Sequence, residues 1–189
     1  MADRFSPGRR KRQVSPLDTD RLEDLALAYV ARFATSAAKL EAYLSRKLRE
    51  RGWEGEDEPD PAALVGRYVE LGYVDDEGFA RARARGLLRR GYGPRRVSQA
   101  LGAAGIGEEI REAVRVGEVG ERRAALTLAR KRGFGPFGGG LPERAAREKQ
   151  IAAMLRAGHS IASARALVDA GTVDEAEAWV AEAGEAGEE

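Results

Sequence analysis

The sequence predicts an all-α protein, an elongated tandem array of three three-helix repeats with no sheet. Three observations lead there. The chain is 33% charged and only 6% aromatic, with alanine, leucine, arginine and glutamate prominent, a composition that suits helices around a modest core. β-Branched and aromatic runs of strand length are almost absent. And one turn recurs: RFATS (32–36), RRGYG (89–93) and RAGHS (156–160) each set an arginine four residues before a Ser or Gly helix start, with a ring side chain between. The starts at 36, 93 and 160 lie 57 and 67 residues apart, and the glycine-rich loop after Phe134 accounts for most of the difference. Three helices this short bury little apolar area alone, so neighbouring repeats must stack to complete the core.

The elements follow in chain order. Residues 1–16 form a basic arm, expected to be disordered, with Arg4, Arg9, Arg10, Lys11 and Arg12 punctuated by Pro7, Gly8 and Pro16. Repeat 1 spans 17–53. Asp20 is positioned to cap a helix running to about Phe33, with Glu23 closing a capping box and Leu22, Leu25, Ala26, Tyr29, Val30 and Phe33 on one apolar face. Thr35 or Ser36 caps the next, striped by Leu40, Tyr43, Leu44 and Leu48 and ended by Gly52. The acidic loop EGEDEPD (54–60) follows. Repeat 2 spans 60–106: Asp60–Pro61 opens its first helix, which carries Leu64, Val65, Tyr68 and Leu71 and stops at Gly72. Asp75 caps the second, with Val74 and Phe79 spaced as a hydrophobic staple. Gly93–Pro94 opens the third, with Val97 and Leu101 inward and a stop near Gly105.

Repeat 3 spans 107–172, with helices predicted over 108–116, 119–132, 143–157 and 160–170 and a non-helical loop GFGPFGGGLP at 133–142. Residues 173–189 are an acidic C-terminal segment with a short helix at 174–183 and a Gly/Glu tail; nothing basic follows Arg165.

Composition excludes much chemistry. There is no cysteine, so no disulfide or thiolate metal site, and one histidine leaves no histidine cluster. No P-loop, GxSxG or HExxH pattern occurs. Asp75–Asp76 reads as a helix cap with a second charge at the helix N-terminus. His159 fills the ring position that Phe33 and Tyr92 fill elsewhere, which implies packing at a helix junction rather than acid–base chemistry. The expectation is a protein that is not an enzyme and uses no cofactor or metal. No apolar run approaches the roughly 20 residues that span a bilayer, and the N-terminus lacks the apolar stretch of a signal peptide. The expected setting is the cytoplasm, without a membrane.

The charge pattern carries the function. Net charge is +1, yet seven arginines (81, 83, 85, 89, 90, 95 and 96) occupy a stretch with no acidic residue between Glu77 and Glu108. On a helix from Asp76 to Arg90, Ala80, Ala84, Leu87 and Leu88 share one face, while Arg81, Arg85 and Arg89 form an i, i+4, i+8 stripe opposite. Arg95 and Arg96 extend the patch into the next helix. These arginines have no acidic neighbour in sequence to pair with. A weaker patch comprises Lys39, Arg46, Lys47, Arg49 and Arg51, and a third includes Arg122, Arg123, Arg130, Lys131, Arg132, Arg144, Arg147 and Lys149. Successive basic surfaces along a repeat suit a filament or a nucleic-acid groove better than a small molecule.

The string LGYVDDEGFARARARGLLRRGYGPRRVSQALGAAGI (71–106) resembles the core motif of the RecX family, regulators of the bacterial RecA recombinase, and residues 26–53 are similar to that family's N-terminal repeat. The likeness covers about 20–172 and is weak after Gly133. It implies a fold of tandem three-helix repeats and a non-enzymatic modulator of RecA; the chain is expected to act as a monomer. Such proteins bind in the groove of the RecA–DNA filament and usually act as negative regulators of filament growth, ATP hydrolysis, strand exchange and co-protease activity. The partner implied is the RecA nucleoprotein filament, with single- or double-stranded DNA as a second. The candidate contacts are Arg81, Arg85, Arg89, Arg90, Arg95, Arg96, Lys39, Arg46, Lys47, Arg130, Lys131 and Arg132. The alternative from the residues is a helical nucleic-acid-binding module acting without RecA.

Overall fold

A computed structural model describes residues 15–185. Its elements are helices joined by turns, and no strand occurs among the described residues; Leu17 and Trp53 meet in one parallel β-bridge. The N-terminal arm up to residue 14 and the last residues of the acidic tail, 186–189, lie outside the described residues. The chain divides into two compact units, one reaching to Ala34 and resuming over Lys39–Val74, the other taking Thr35–Ala38 and the chain from Asp75.

The first unit holds α1 (Thr19–Arg32), most of α2 (Ala37–Arg51) and α3 (Pro61–Glu70). The expectation of a cap at Asp20 is corrected. The chain is already helical at Thr19, so Asp20 lies in the first turn, and Asp18, with extended backbone, accepts the Arg21 N–H at 2.9 Å. A cap of this kind contributes about 1 kcal/mol. Glu23, expected in a capping box, instead ion-pairs with Arg67, whose guanidinium pKa is raised by that hydrogen bond. Asp60 caps α3 through the Ala63 N–H at 2.9 Å, with Pro61 at the first helical position as the Asp-Pro pair predicts. The core of this unit includes Leu17, Leu22, Ala26, Leu40, Leu44, Leu64, Val65 and Tyr68. Leu17 is held by backbone hydrogen bonds from its N–H to Gly52 O (3.0 Å) and from the Glu54 N–H to its carbonyl (2.8 Å).

The second unit contains α4 (Asp76–Leu88), α5 (Pro94–Gly102), α6 (Glu108–Ala113), α7 (Glu118–Arg132), α8 (Arg144–Arg156), α9 (Ile161–Val168) and α10 (Val173–Glu185). One cluster joins Ala80, Ala84 and Leu87 of α4 with Val97 and Leu101 of α5, Ala104 and Ile106. A second joins Ala125, Leu126 and Ala129 of α7 with Ile151, Met154, Ala164, Leu167 and Val168, and with Ala176 and Val180 of α10. The glycine-rich loop, expected to be non-helical, contains a short 3-10 turn over Gly135–Gly138. Phe134 and Phe137 anchor it by packing on the second cluster, and the Gln150 side-chain carbonyl accepts the Gly135 N–H at 2.8 Å. Within this unit, Ser36 donates its hydroxyl to Ala104 O at 2.5 Å, and Asp76 accepts the Ala37 N–H at 2.8 Å.

Candidate functional site

The candidate surface begins with α4. Asp75 caps it, accepting the Gly78 N–H at 2.8 Å, and Asp76 and Glu77 place negative charge in its first turn. Ala80, Ala84 and Leu87 are buried, which fixes the roll of the helix and leaves Arg81, Arg83, Arg85 and Arg89 exposed. The two-faced helix read from the sequence is present. One expectation about it is corrected: Arg81 is not without an acidic partner, because Glu77 lies one turn before it and the two form an ion pair. Among the described residues, no carboxylate pairs with Arg83, Arg85, Arg89, Arg90, Arg95 or Arg96.

The turn from α4 to α5 is held from two sides. Gly91 has φ +90°, and a Cβ there would come within 2.9 Å of Leu128 N on α7; only glycine supplies both that conformation and that approach. The Lys131 ammonium, at the end of α7, donates to Arg89 O at 3.2 Å, so α7 and the basic end of α4 are brought together. On the other side, the Gly93 N–H donates to Ala157 O at 2.9 Å and the Arg95 N–H to Gly158 O at 3.3 Å. His159, 1% exposed, places Nε2 2.9 Å from Gly91 O. A carbonyl only accepts, so Nε2 carries the proton. Burial holds the imidazole pKa below its ordinary value, partly offset by this hydrogen bond. The RRGYG and RAGHS turns recognised as repeats therefore pack directly on one another, and His159 takes the junction position expected of it.

The other predicted patches are more compensated. In the first unit, Lys47 hydrogen-bonds to Glu50 at 2.6 Å, and Arg46 lies 3.5 Å from the same carboxylate. The Lys47 hydrogen bond, first, holds the Glu50 carboxyl below its usual pKa. Both cations also face the Tyr43 ring, at 5.6 and 5.9 Å from its centroid. Lys39 is exposed on α2. In the second unit, Arg130 is ion-paired with Glu177 and stands over Phe137 at 5.7 Å, which makes it a tie between α7, α10 and the glycine-rich loop. Arg132 is exposed.

Charge counting along the chain missed one neighbourhood. Between α5, α6 and the starts of α7 and α9 lies a groove of about 370 Å³, lined by Leu88, Val97, Leu101, Val114 and Val116 and rimmed by Arg95, Arg111 and Arg115. Arg111 Nη1 reaches Ser98 Oγ at 3.4 Å, while its buried Nε has no hydrogen-bond partner. Arg111 and Arg115 stand among Glu108, Glu109 and Glu112 in sequence, so a search for runs without acid passes over them; their i, i+4 spacing was the available signal. No group of His, Cys, Asp and Glu among the described residues is arranged to hold a metal ion, and no helix is long and apolar enough to cross a membrane.

Comparison with known proteins places this surface in a recognised module. Residues 75–114 match the model of the RecX second three-helix domain. The matched unit takes α4, α5 and α6, whereas the turn spacing groups α3 with α4 and α5. The chain is 33% identical over 172 residues to the regulatory protein RecX of Myxococcus xanthus, covering 85% of this chain and 89% of that one. Over 89 residues it is 40% identical to the regulatory protein RecX of a Mycobacterium species, covering 47% of each chain. The crystal structure of RecX from Lactobacillus salivarius superposes with a TM-score of 0.61 at 18% identity, covering 79% of this chain and 94% of that one, a likeness of fold.

Proposed function

This chain belongs to the RecX family of regulatory proteins, and we propose that it modulates the RecA recombinase by binding in the groove of the RecA–DNA filament. The reading makes it a negative regulator of filament ATP hydrolysis, strand exchange and co-protease activity, acting as a monomer in the cytoplasm and without catalysis of its own. The observation that carries the reading is the set of exposed arginines on α4 and the start of α5, Arg85, Arg89, Arg95 and Arg96 above all, which have no carboxylate partner among the described residues. Guanidinium groups on one relatively rigid helix pair match phosphate or carboxylate geometry, and leaving them unneutralised suits a surface completed by an anionic partner. Arg81 belongs to the same face but is partly neutralised by Glu77. Lys131 adds to the patch through its contact with the end of α4. Lys39, Arg46, Lys47, Arg130 and Arg132 are proposed as secondary contacts.

The test is a titration of the purified protein into RecA on single-stranded DNA. Substoichiometric amounts are expected to lower the rate of ATP hydrolysis. An unchanged rate at every ratio would overturn the reading. The second reading, a nucleic-acid-binding module independent of RecA, draws on the same arginines. It requires tight binding to bare DNA at physiological salt, with affinity falling steeply as salt rises.

A further inference from the structure

The recurring turn carries an arginine and a ring in all three repeats, but only two of the three rings are exposed. In RFATS, Phe33 ends α1 and is 51% exposed, with the Arg32 guanidinium 5.6 Å from its centroid. In RRGYG, Tyr92 is 37% exposed, with the Arg90 guanidinium 5.9 Å from its centroid. In RAGHS, His159 is buried and committed to Gly91 O. The core explains the third ring and not the first two.

We propose that Phe33 and Tyr92 are stacking posts for the bases of a single-stranded nucleic acid. An exposed ring faced by a guanidinium offers a flat surface for a base and a cation for the adjoining phosphate. That combination binds single strands with little sequence preference, because every base has a π-face. A duplex keeps its bases stacked on one another and withholds those faces.

The two posts are held differently, each within its own unit. Phe33 extends an aromatic ladder: its centroid lies 5.3 Å from that of Tyr29, which stacks on Tyr43 at 4.3 Å. Arg46 and Lys47 flank the far end of this ladder at Tyr43. Tyr92 is held by its turn. Its own N–H donates to Leu87 O at 3.1 Å, and its neighbours Gly91 and Gly93 are pinned by α7 and by residues 157–159. Arg89, Arg90, Arg95 and Arg96 surround it in sequence and have no carboxylate partner among the described residues. An acidic protein surface would satisfy those arginines, but it gives no use to two exposed rings at equivalent turns. A single strand gives a use to a ring of either kind.

The proposal deepens the reading of a RecA–DNA filament partner by naming the part of the surface that meets DNA. Its test uses the full chain and oligo(dT), with a duplex of equal length beside it. Phe33→Leu and Tyr92→Leu keep apolar bulk but remove the π-face, and each is expected to weaken oligo(dT) binding about tenfold. Tyr92→Phe and Phe33→Tyr keep the face and are expected to bind within about twofold of wild type. Duplex affinity should stay unchanged in all four. Tyr92→Trp supplies a probe read as the difference from wild type, whose Trp53 and Trp179 give the background; the added fluorescence should be quenched by oligo(dT), which checks the contact even if a leucine variant folds poorly.

Leucine variants that bind oligo(dT) like wild type would overturn the proposal, as would equal losses for single strand and duplex. Loss of the effect on RecA with oligo(dT) binding intact would assign the rings to protein docking and also overturn it. The RecA reading fails separately, when wild-type protein binds oligo(dT) but leaves the RecA ATPase unchanged.

Discussion

His159 shows how much a single side chain ties together. It is the chain's one histidine, it is buried, and its Nε2–H donates to the carbonyl of the glycine that turns α4 into α5. Protonating it means charging a desolvated ring, so its folded pKa lies below the ordinary value of 6.5. The unfolded chain then binds more protons than the folded one between those two values, and stability rises with pH across that interval. The contribution is fully present above pH 6.5 and is lost as pH falls toward the depressed folded value. Carboxylates titrate mostly below this window, so melting curves between pH 7.5 and 5 isolate the histidine. The wild-type melting temperature is expected to fall as the solution is acidified below about pH 6.5. In His159→Phe that fall should largely disappear, while stability at pH 7.5 drops by about 1–3 kcal/mol because Gly91 O loses its buried donor. A wild-type curve that stays flat down to pH 5 would show that the ring is not the titrating group.

At the scale of elements, α10 changes what the acidic C-terminal segment means. As sequence it reads as an acidic segment with a short helix at 174–183 and no basic residue. In the fold, Ala176, Val180 and Ala183 are buried, and Arg122 stands 4.5 Å over the Trp179 ring while donating to Trp179 O and to Glu118. Truncation at residue 173 is therefore expected to strip a wall from the second core cluster and abolish cooperative melting of the second unit, by circular dichroism. Glu177→Gln with Glu182→Gln keeps the apolar face and removes charge opposite Arg130 and Arg122. That pair should cost no more than about 1 kcal/mol, and it tests electrostatic competition cleanly: tighter DNA binding at low salt is the expected result. Legibility of the elements follows the same physics. Asp60–Pro61, Asp75 and Gly93–Pro94 announced their helices because cap chemistry is local. Asp18 was missed because Asp20 offered the same chemistry two residues later, and only the tertiary course of the chain decides between them. The arginine face of α4 was legible from its period. The compensation of Arg46, Lys47 and Arg130 was partly hidden, since Glu177 reaches Arg130 from 47 residues away. The groove beside Arg111 was hidden altogether, because it exists only where α5, α6, α7 and α9 converge.

For the whole molecule, the near balance of 32 basic and 31 acidic residues argues against attraction by net charge and makes local imbalance the quantity that matters. Solvent and salt screen charges beyond roughly 8 Å at physiological ionic strength, so the acidic loop at 54–60 does little to neutralise arginines that it does not touch. The unpaired arginines of the second unit should then behave as an independent anion-binding surface despite a net charge near zero. The triple variant Arg85→Glu, Arg89→Glu, Arg95→Glu tests this. All three side chains are exposed and lie off the buried face of α4 and α5, so each change should cost no more than about 0.5 kcal/mol of stability. Binding should respond far more, with the effect on RecA ATP hydrolysis lost at ratios where wild type is saturating. Neutralising Glu56, Asp57 and Glu58 in the first unit should leave that effect within about twofold, because an exposed charge that forms no ion pair is largely screened by salt. If the triple variant melts far below wild type, the arginines are structural. If it melts normally and still acts on RecA at full strength, the proposed contact does not run through these arginines, and the groove between α5 and α6 becomes the next to mutate.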